Sequence, residues 1–488
     1  MGIFNNLFKQ SDLPKPVSSV ADRQNILTLQ LILKDWLDSD IRKEQLLAEQ
    51  YYEGDHDILR REKKVIGADG QLVVINNVAN NKLVDNQYRK LVDQKTNYVL
   101  GKPITIATKS DDYLSELNKI FNKRVHRKLR VLAQYAVDGG IAWLYPYYEG
   151  SEFKLAVFPS YEICPIWKDK EHTELESALR YYKDIIPKAK GGHEVIHRVE
   201  WYTKEGIHYF IYRNGSLVLD EKPHSDYIIQ DGKGYNWERL PIIPFKYNHK
   251  EIPLIRNVKC LQDALNQVLS DFQNNMEEDP RTSILVLKNY DGTNIADFRQ
   301  NLATYGVIKV TTVDGVQGGV ETLKVEVDAA NYQAILMQLK RAIVENGRGF
   351  DAKEERMDGD PNQMNIESMY TDIDLDVNGM ETEFQAGFEE RRWFIDQYLE
   401  QNKKTVEVDD EVEFVFNRDI FINEDAKIEN VVKSVGVLSE KTLLSRHPWV
   451  TNVENEMQSL EEDKQKELEE MEIMNAFNQP TNGGSGGE

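Results

Sequence analysis

The chain has 488 residues, 60 basic against 82 acidic, for a formal charge of −22, which gives room for about three domains of ordinary size. This balance excludes tight nonspecific duplex binding driven by counterion release from Lys and Arg, and solubility is its plain reading. No run of 18 apolar residues is present, so no transmembrane helix is expected, and the two cysteines, Cys164 and Cys260, fit a reducing cytosolic origin rather than a disulfide framework.

Taken in order, Met1-Gly2-Ile3-Phe4-Asn5-Asn6 lacks the basic and apolar regions of a signal peptide, and Asn6 stands where a myristoylation site wants Ser or Thr. Residues 1–23, with Pro14 and Pro16, read as a flexible lead-in. Ile26, Leu29, Ile32, Leu33 and Trp36 keep helical spacing, and the pattern resumes through Leu46, Leu47 and Tyr51 to Gly54. Asn80 and Asn81 are cap candidates for a helix burying Val84, Tyr88, Leu91 and Tyr98, with the stem of Lys95 alongside. It ends at Gly101-Lys102-Pro103, and Ile104-Thr105-Ile106 reads as extended. A helix is expected from Tyr113 to Val137, carrying Lys119, Lys123, Arg124, Arg127, Lys128 and Arg130. That basic face suits a solvated surface, an acidic neighbour or nucleic acid. A strand-rich region follows from Ile141, with Asn214-Gly215 as a hairpin turn, and closes at a two-proline hinge, Leu240-Pro241-Ile242-Ile243-Pro244-Phe245.

Ile252 to Gln363 is the organising stretch. Val258, Leu261, Leu265, Val268 and Phe272 form one narrow helical seam with polar residues on the other face. From Ala329, Tyr332, Ile335, Leu336, Leu339, Ala342 and Ile343 form a second, with Gly347 and Gly349 as stop signals. Each rod covers about 30 Å. Between them lie strands near Ile284 to Leu287 and Val307 to Val310 and a short helix from Asn294 to Leu302. A stalk with a cap fits this pattern, and so do two ordinary core helices of an α+β domain. The loop of residues 351–363 sets Asp351, Glu354, Glu355, Asp358 and Asp360 against Lys353 and Arg356, a formal charge of −3 from five acids and two bases, with Gly359 and Pro361. A long helix is expected from Met364 to Gln401, with Gly379 and Gly387 as kink sites. A strand at Val412 to Phe416 and short helices from Glu424, Glu440 and Val453 follow, before the chain frays from Glu461 to Glu470 into a disordered Gly/Ser tail.

Two motifs imitate metal sites. His193-Glu194-Val195-Ile196-His197 matches the zinc-protease letters, but the chemistry needs a helix. The alternation through Val199-Glu200-Trp201-Tyr202 predicts a strand, which would hold the histidines about 13 Å apart. Asp372-Ile373-Asp374-Leu375-Asp376 with Glu383 imitates a calcium loop, yet Val377 stands where the turn needs Gly. No catalytic constellation, cofactor or metal site is expected.

The chain resembles the portal proteins of tailed bacteriophages, the family of long-tailed, siphovirus-type phages of Gram-positive bacteria. Tyr51-Tyr52-Glu53-Gly54 with His56 and Ile58 carries the likeness, as do Asn80-Asn81, Leu91-Val92-Asp93-Gln94-Lys95, Tyr98 to Ile104, Pro241 to Phe245 and Val258 to Asp271. The resemblance implies an α+β portal fold: an arm (1–23), a wing (24–252), stem helices (253–279 and 329–350), a clip (280–328), a tunnel loop (351–363), a long helix with a returning wing strand (364–422), a crown (423–475) and a tail (476–488). It also implies a dodecameric ring at one capsid vertex of the virion, assembled in the host cytoplasm and conducting duplex DNA without reading its sequence. Stem packing would fall to Val258, Leu261, Leu265, Val268, Phe272, Leu336, Leu339 and Ile343, with the polar face toward the channel. Asp351, Lys353, Glu354, Glu355, Arg356, Asp358, Gly359 and Asp360 would form the channel constriction. Asp297 and Arg299 would meet the terminase packaging motor and the head-completion adaptor, while major capsid and scaffolding proteins surround the ring. A non-channel virion scaffold or adaptor is the alternative, and a zinc hydrolase has only the His193 to His197 letters behind it.

Overall fold

The computed structural model describes residues 9–10, 20–66, 70–75, 78–150, 152–188, 191–230, 232–278, 284–288, 319–323, 329–351, 363–404, 406, 411–418, 424–447, 449–450, 453 and 456–466. Helix and sheet are mixed, in keeping with the α+β class. The chain divides into two compact units, Met1–Phe350 with Asp372–Asp419, and Asp351–Thr371 with Ile420–Glu488.

In the first unit, β1 (Lys9–Gln10) pairs with Asn236 and Tyr235, so the expected flexible lead-in has one segment tied to a sheet. Helices α1 (Val20–Asp38) and α2 (Asp40–Tyr52) share the predicted apolar stripe but break at Ser39, whose side chain accepts the Arg42 N–H as an N-cap. Strands β2 (Lys64–Ile66) and β3 (Leu72–Val74) form a small hairpin. Helix α3 (Gln87–Leu100) starts later than Asn80 and Asn81 suggested, because Asn86 caps it by accepting the Arg89 N–H. After β4 (Thr105–Ala107), the single helix expected from Tyr113 is two, α4 (Asp111–Ile120) and α5 (Lys123–Gly139). Asn122 separates them, taking the N–H groups of Arg124 and Val125.

Strands β5 (Ile141–Glu149) and β6 (Glu152–Phe158) pair directly. They precede β7 (Ile163–Trp167), β8 (Leu175–Pro187), β9 (His193–Thr203), β10 (Gly206–Arg213) and β11 (Ser216–Ser225), a five-stranded antiparallel sheet in the order β11-β10-β9-β8-β7. Asn214 and Gly215 take φ of 50° and 78°, as a type I′ hairpin demands. Leu29 and Leu33 of α1 pack on Cys164, Leu179, Val199 and Phe210 of this sheet. Strands β12 (Ile228–Gln230) and β13 (Lys233–Asn236) follow. The predicted two-proline hinge is in fact a strand, β14 (Ile243–Lys246), paired with β5 at a sheet edge, where the missing N–H of Pro244 is tolerated.

Helix α6 (Ile255–Glu278) leads to β15 (Ile284–Lys288), which pairs with β16 (Gly319–Leu323), and α7 (Ala329–Asn346) runs back. The expected strand at Ile284 is thus present; residues 307–310 and 294–302 lie outside the described residues. Helix α8 (Gln363–Gln401) is continuous over 39 residues and buries Phe384 and Phe388 against Phe245 at ring distances of 5.1 and 5.3 Å. A Cβ at Gly387 would lie 2.8 Å from that ring, so this glycine, predicted as a kink site, serves a close contact. Strand β17 (Glu413–Val415) returns to pair with β4. In the second unit, α9 (Glu424–Lys433) and α10 (Glu440–Arg446) match expectation; residues 456–466 are helical, 456–460 in keeping with the helix expected from Val453 and 461–466 where fraying was expected.

Candidate functional site

Helix α6 is gripped on two sides. On the predicted seam Val258 and Leu265 are buried, whereas Leu261, Val268 and Phe272 are half-buried. The Phe272 ring lies 5.0 Å from that of Tyr332 on α7, whose hydroxyl accepts from the Asn275 amide at 2.8 Å. On α7, Ile343 is buried, Leu336 and Leu339 are half-buried, and Ile335 and Met337 are exposed.

The other side departs from expectation. Gln262, Asn266, Ser270 and Asn274, four polar residues at steps of four, are buried rather than facing outward. They accept the backbone N–H groups of Tyr88 (3.0 Å), Asp85 (3.0 Å), Leu83 (2.9 Å) and Asn81 (2.7 Å), respectively. Among the described residues the segment before α3 has no neighbouring strand, and buried backbone donors must be satisfied, so the helix supplies a ladder of side-chain acceptors in place of a strand. Charges flank it. Tyr51 donates to Asp263 (2.6 Å), Arg61 to Asp271 (2.7 Å) and Lys259 to Asp57 (2.7 Å). His56 is buried between them, with Nε2 at 3.1 Å from the Tyr51 carbonyl and Nδ1 at 2.8 Å from the Asn266 amide nitrogen. Because Asn266 donates there, Nδ1 is the acceptor and the imidazole is neutral; burial pushes its pKa down. Tyr51, His56, Asn80 and Asn81, all within the stretches that carry the resemblance, are therefore parts of the bracket that holds α6.

A second cluster fixes the base of the loop beginning at residue 351. Helix α7 ends in a Schellman turn, with Arg348 N–H on Glu345 O (3.1 Å) and Gly349 N–H on Val344 O (2.8 Å). The left-handed residue is Arg348, φ +48°, not either predicted stop glycine. Gly347 and Gly349 are needed for another reason: a Cβ on them would come within 2.5 and 2.3 Å of Leu91 on α3. One turn along α3, the Gln94 side chain donates to Phe350 O (2.6 Å) and accepts from Phe350 N–H (2.9 Å), fixing the chain as a strand partner would.

Lys95, also on α3, is wholly buried and donates to the Arg348 carbonyl (3.0 Å) and to Asp376 of α8 (2.6 Å). Asp376 takes in addition the Tyr247 hydroxyl and lies 3.6 Å from the Arg348 guanidinium. Burial lowers the Lys95 pKa, and Asp376 opposes the shift. Asp374 accepts from Tyr98 (2.7 Å) and Arg418 (2.6 Å). Asp374 and Asp376 of the calcium-loop imitation thus serve ion pairs on a helix. One buried ammonium joins the end of α7 to α8, the two flanks of residues 351–363.

Asp351 is described, whereas Lys353, Glu354, Glu355, Arg356, Asp358, Gly359, Asp360, Asp297 and Arg299 lie outside the described residues. His193 and His197 are on β9, the strand predicted for them, and His197 meets the Tyr181 hydroxyl at 2.5 Å. Among the described residues no group of three or more His, Cys, Asp or Glu could hold a metal ion, and no helix is long and apolar enough to cross a membrane.

A family model described as "Phage portal protein, SPP1 Gp6-like" matches residues 38–470. The chain is 28% identical over 424 residues to the portal protein of Bacillus phage SPP1, covering 85% of this chain and 82% of that one. It is 27% identical over 442 residues to the portal protein of Clostridium phage phiCD119, covering 88% and 94%.

Proposed function

Because the chain belongs to the SPP1 Gp6-like family of phage portal proteins, a family of structural virion components, we propose that it forms a ring-shaped channel at one capsid vertex, dodecameric in the virion. Duplex DNA passes through it during packaging, is retained by it and leaves through it on ejection. The match along residues 38–470 carries this reading. In it, residues 24–252 are the wing, α6 and α7 the stem, residues 280–328 the clip, residues 351–363 the tunnel loop and residues 423–475 the crown.

The stem geometry agrees with a ring. With one side of α6 occupied by the polar ladder, the half-buried Leu261, Val268, Phe272, Leu336 and Leu339, with exposed Ile335 and Met337, remain to pack against a neighbouring copy. Lys95 and Gln94 hold the base of the loop through Arg348, Phe350 and Asp376. Its net charge of −3, five acids against Lys353 and Arg356, limits phosphate contacts to those two side chains. Such contacts are weak and salt-dependent, which suits sliding. The clip, through positions such as Asp297 and Arg299, is the docking surface for the packaging motor and the head-completion adaptor.

Deleting residues 353–360 tests the assignment. Rings should form at normal yield, and packaging or retention of DNA in assembled heads should fail. Full-length packaging by the deletion variant would refute the loop's role.

A further inference from the structure

Away from the stem and the loop base, helices α3 and α5 border a pocket of about 360 Å³ whose chemistry is unlike the rest of this acidic chain. Lys123, His126, Arg127 and Arg130 line it from α5, at the steps of three and four that share one helix face. Asp93 and Thr96 line it from α3. Asp93 is already engaged, accepting from the Tyr52 hydroxyl at 2.7 Å and lying 3.6 Å from Arg89. Arg130 reaches the Asn97 side chain. Lys123 and Arg127 are exposed, and among the described residues neither meets a carboxylate.

Thr96, only 6% exposed, and His126 also line the pocket, and their Oγ1 and Nδ1, which lack a hydrogen-bond partner among the described residues, are themselves closed to solvent. The cations of the lining point to an anion among them, since like charges on one face repel. The bare helix terminus is not the reason, because Asn122 already caps the first N–H groups of α5.

Charge selects the anion. Three cations against one carboxylate leave a formal +2 in the lining. A phosphate group carries close to two negative charges at neutral pH and several strong acceptor oxygens; a carboxylate would answer only one of the cations. We infer that the pocket between α3 and α5 binds a phosphate-type oxyanion, supplied either as free phosphate or by a nucleic-acid backbone. The inference stands whether or not the chain forms a ring.

The test is calorimetric titration of the full-length protein with inorganic phosphate at constant ionic strength, with chloride as the reference anion. Saturable binding is expected, weakened at least tenfold by Lys123→Gln with Arg127→Gln. Thermal midpoints in chloride should be unchanged for the double variant, since both cations are exposed. In a second arm, a short duplex of arbitrary sequence is added. Competition with phosphate that is lost in the double variant assigns the site to the nucleic-acid backbone; phosphate binding without competition assigns it to free phosphate. No saturable binding of either ligand, or binding undiminished in the double variant, overturns the inference. So does a double variant whose self-association is lost while its phosphate binding is intact, because the cations would then serve a carboxylate of a second copy.

Discussion

Removing Lys95 is the sharpest perturbation of the loop base. Its ammonium is wholly buried and its 2.6 Å bond to Asp376 joins α3 to α8 while its other contact holds the Arg348 carbonyl. Breaking a buried ion pair by deleting one partner costs about 3–5 kcal/mol, because the survivor is left uncompensated. The two survivors here are unequal. In Lys95→Met, Asp376 keeps the Tyr247 hydroxyl and the Arg348 guanidinium and its side chain is 15% exposed, so the loss should fall near the lower bound, about 3 kcal/mol. In Asp376→Asn, Lys95 has only neutral acceptors, the Arg348 carbonyl and the amide oxygen, and no exposure, so the loss should approach the upper bound, about 5 kcal/mol. The double variant should lose less than the sum. Urea denaturation of all three against the wild type gives the cycle. A Lys95→Met variant within about 0.5 kcal/mol of wild type, or an Asp376→Asn variant milder than it, would refute the reasoning.

Arg391 is buried over the Phe121 ring at 4.0 Å, and none of its guanidinium nitrogens has a hydrogen-bond partner among the described residues; burial lowers its pKa to about 9. Arg391→Met should therefore raise stability by about 1–3 kcal/mol in a denaturant titration, after loss of a cation–π contact worth about 0.5–2 kcal/mol; a destabilised variant would mean that the guanidinium has a partner. His56 is held neutral with its pKa below the usual 6.5, so its contribution is complete above that pH and is lost as pH falls below it, when the unfolded chain takes up the proton first. Wild type should lose stability between pH 6.5 and 5 more steeply than His56→Gln, and parallel curves would contradict this. Leu265→Asp puts a carboxylate at a fully buried seam position and should cost several kcal/mol per chain; sedimentation should show species smaller than wild type, whereas an unchanged particle would mean that the seam is misassigned.

The regular elements were legible where one period dominated. Alternation and Asn214-Gly215 yielded the antiparallel strands, and the apolar steps yielded α6, α7 and α8. The breaks at Ser39 and Asn122 were missed because a capping side chain occupies one position and leaves the apolar stripe on either side in phase. The ladder on α6 was misread because uncharged polar residues every four positions look alike whether they meet water or a backbone. What distinguishes Gln262, Asn266, Ser270 and Asn274 is that none is charged, while the charged Lys259, Asp263 and Asp271 lie beside them. Lys95 was read as a stem lying along a buried face; its ammonium is buried too, since an aspartate far along the chain, on α8, compensates it. No local pattern pairs residues so distant.

The central claim is a ring with an axial channel. Averaged electron-microscope images of the purified protein, viewed down the particle axis, test it most directly. The account predicts closed rings of many copies around a hole wide enough for duplex DNA. Images of isolated monomers, or of compact particles without a central opening, would contradict it.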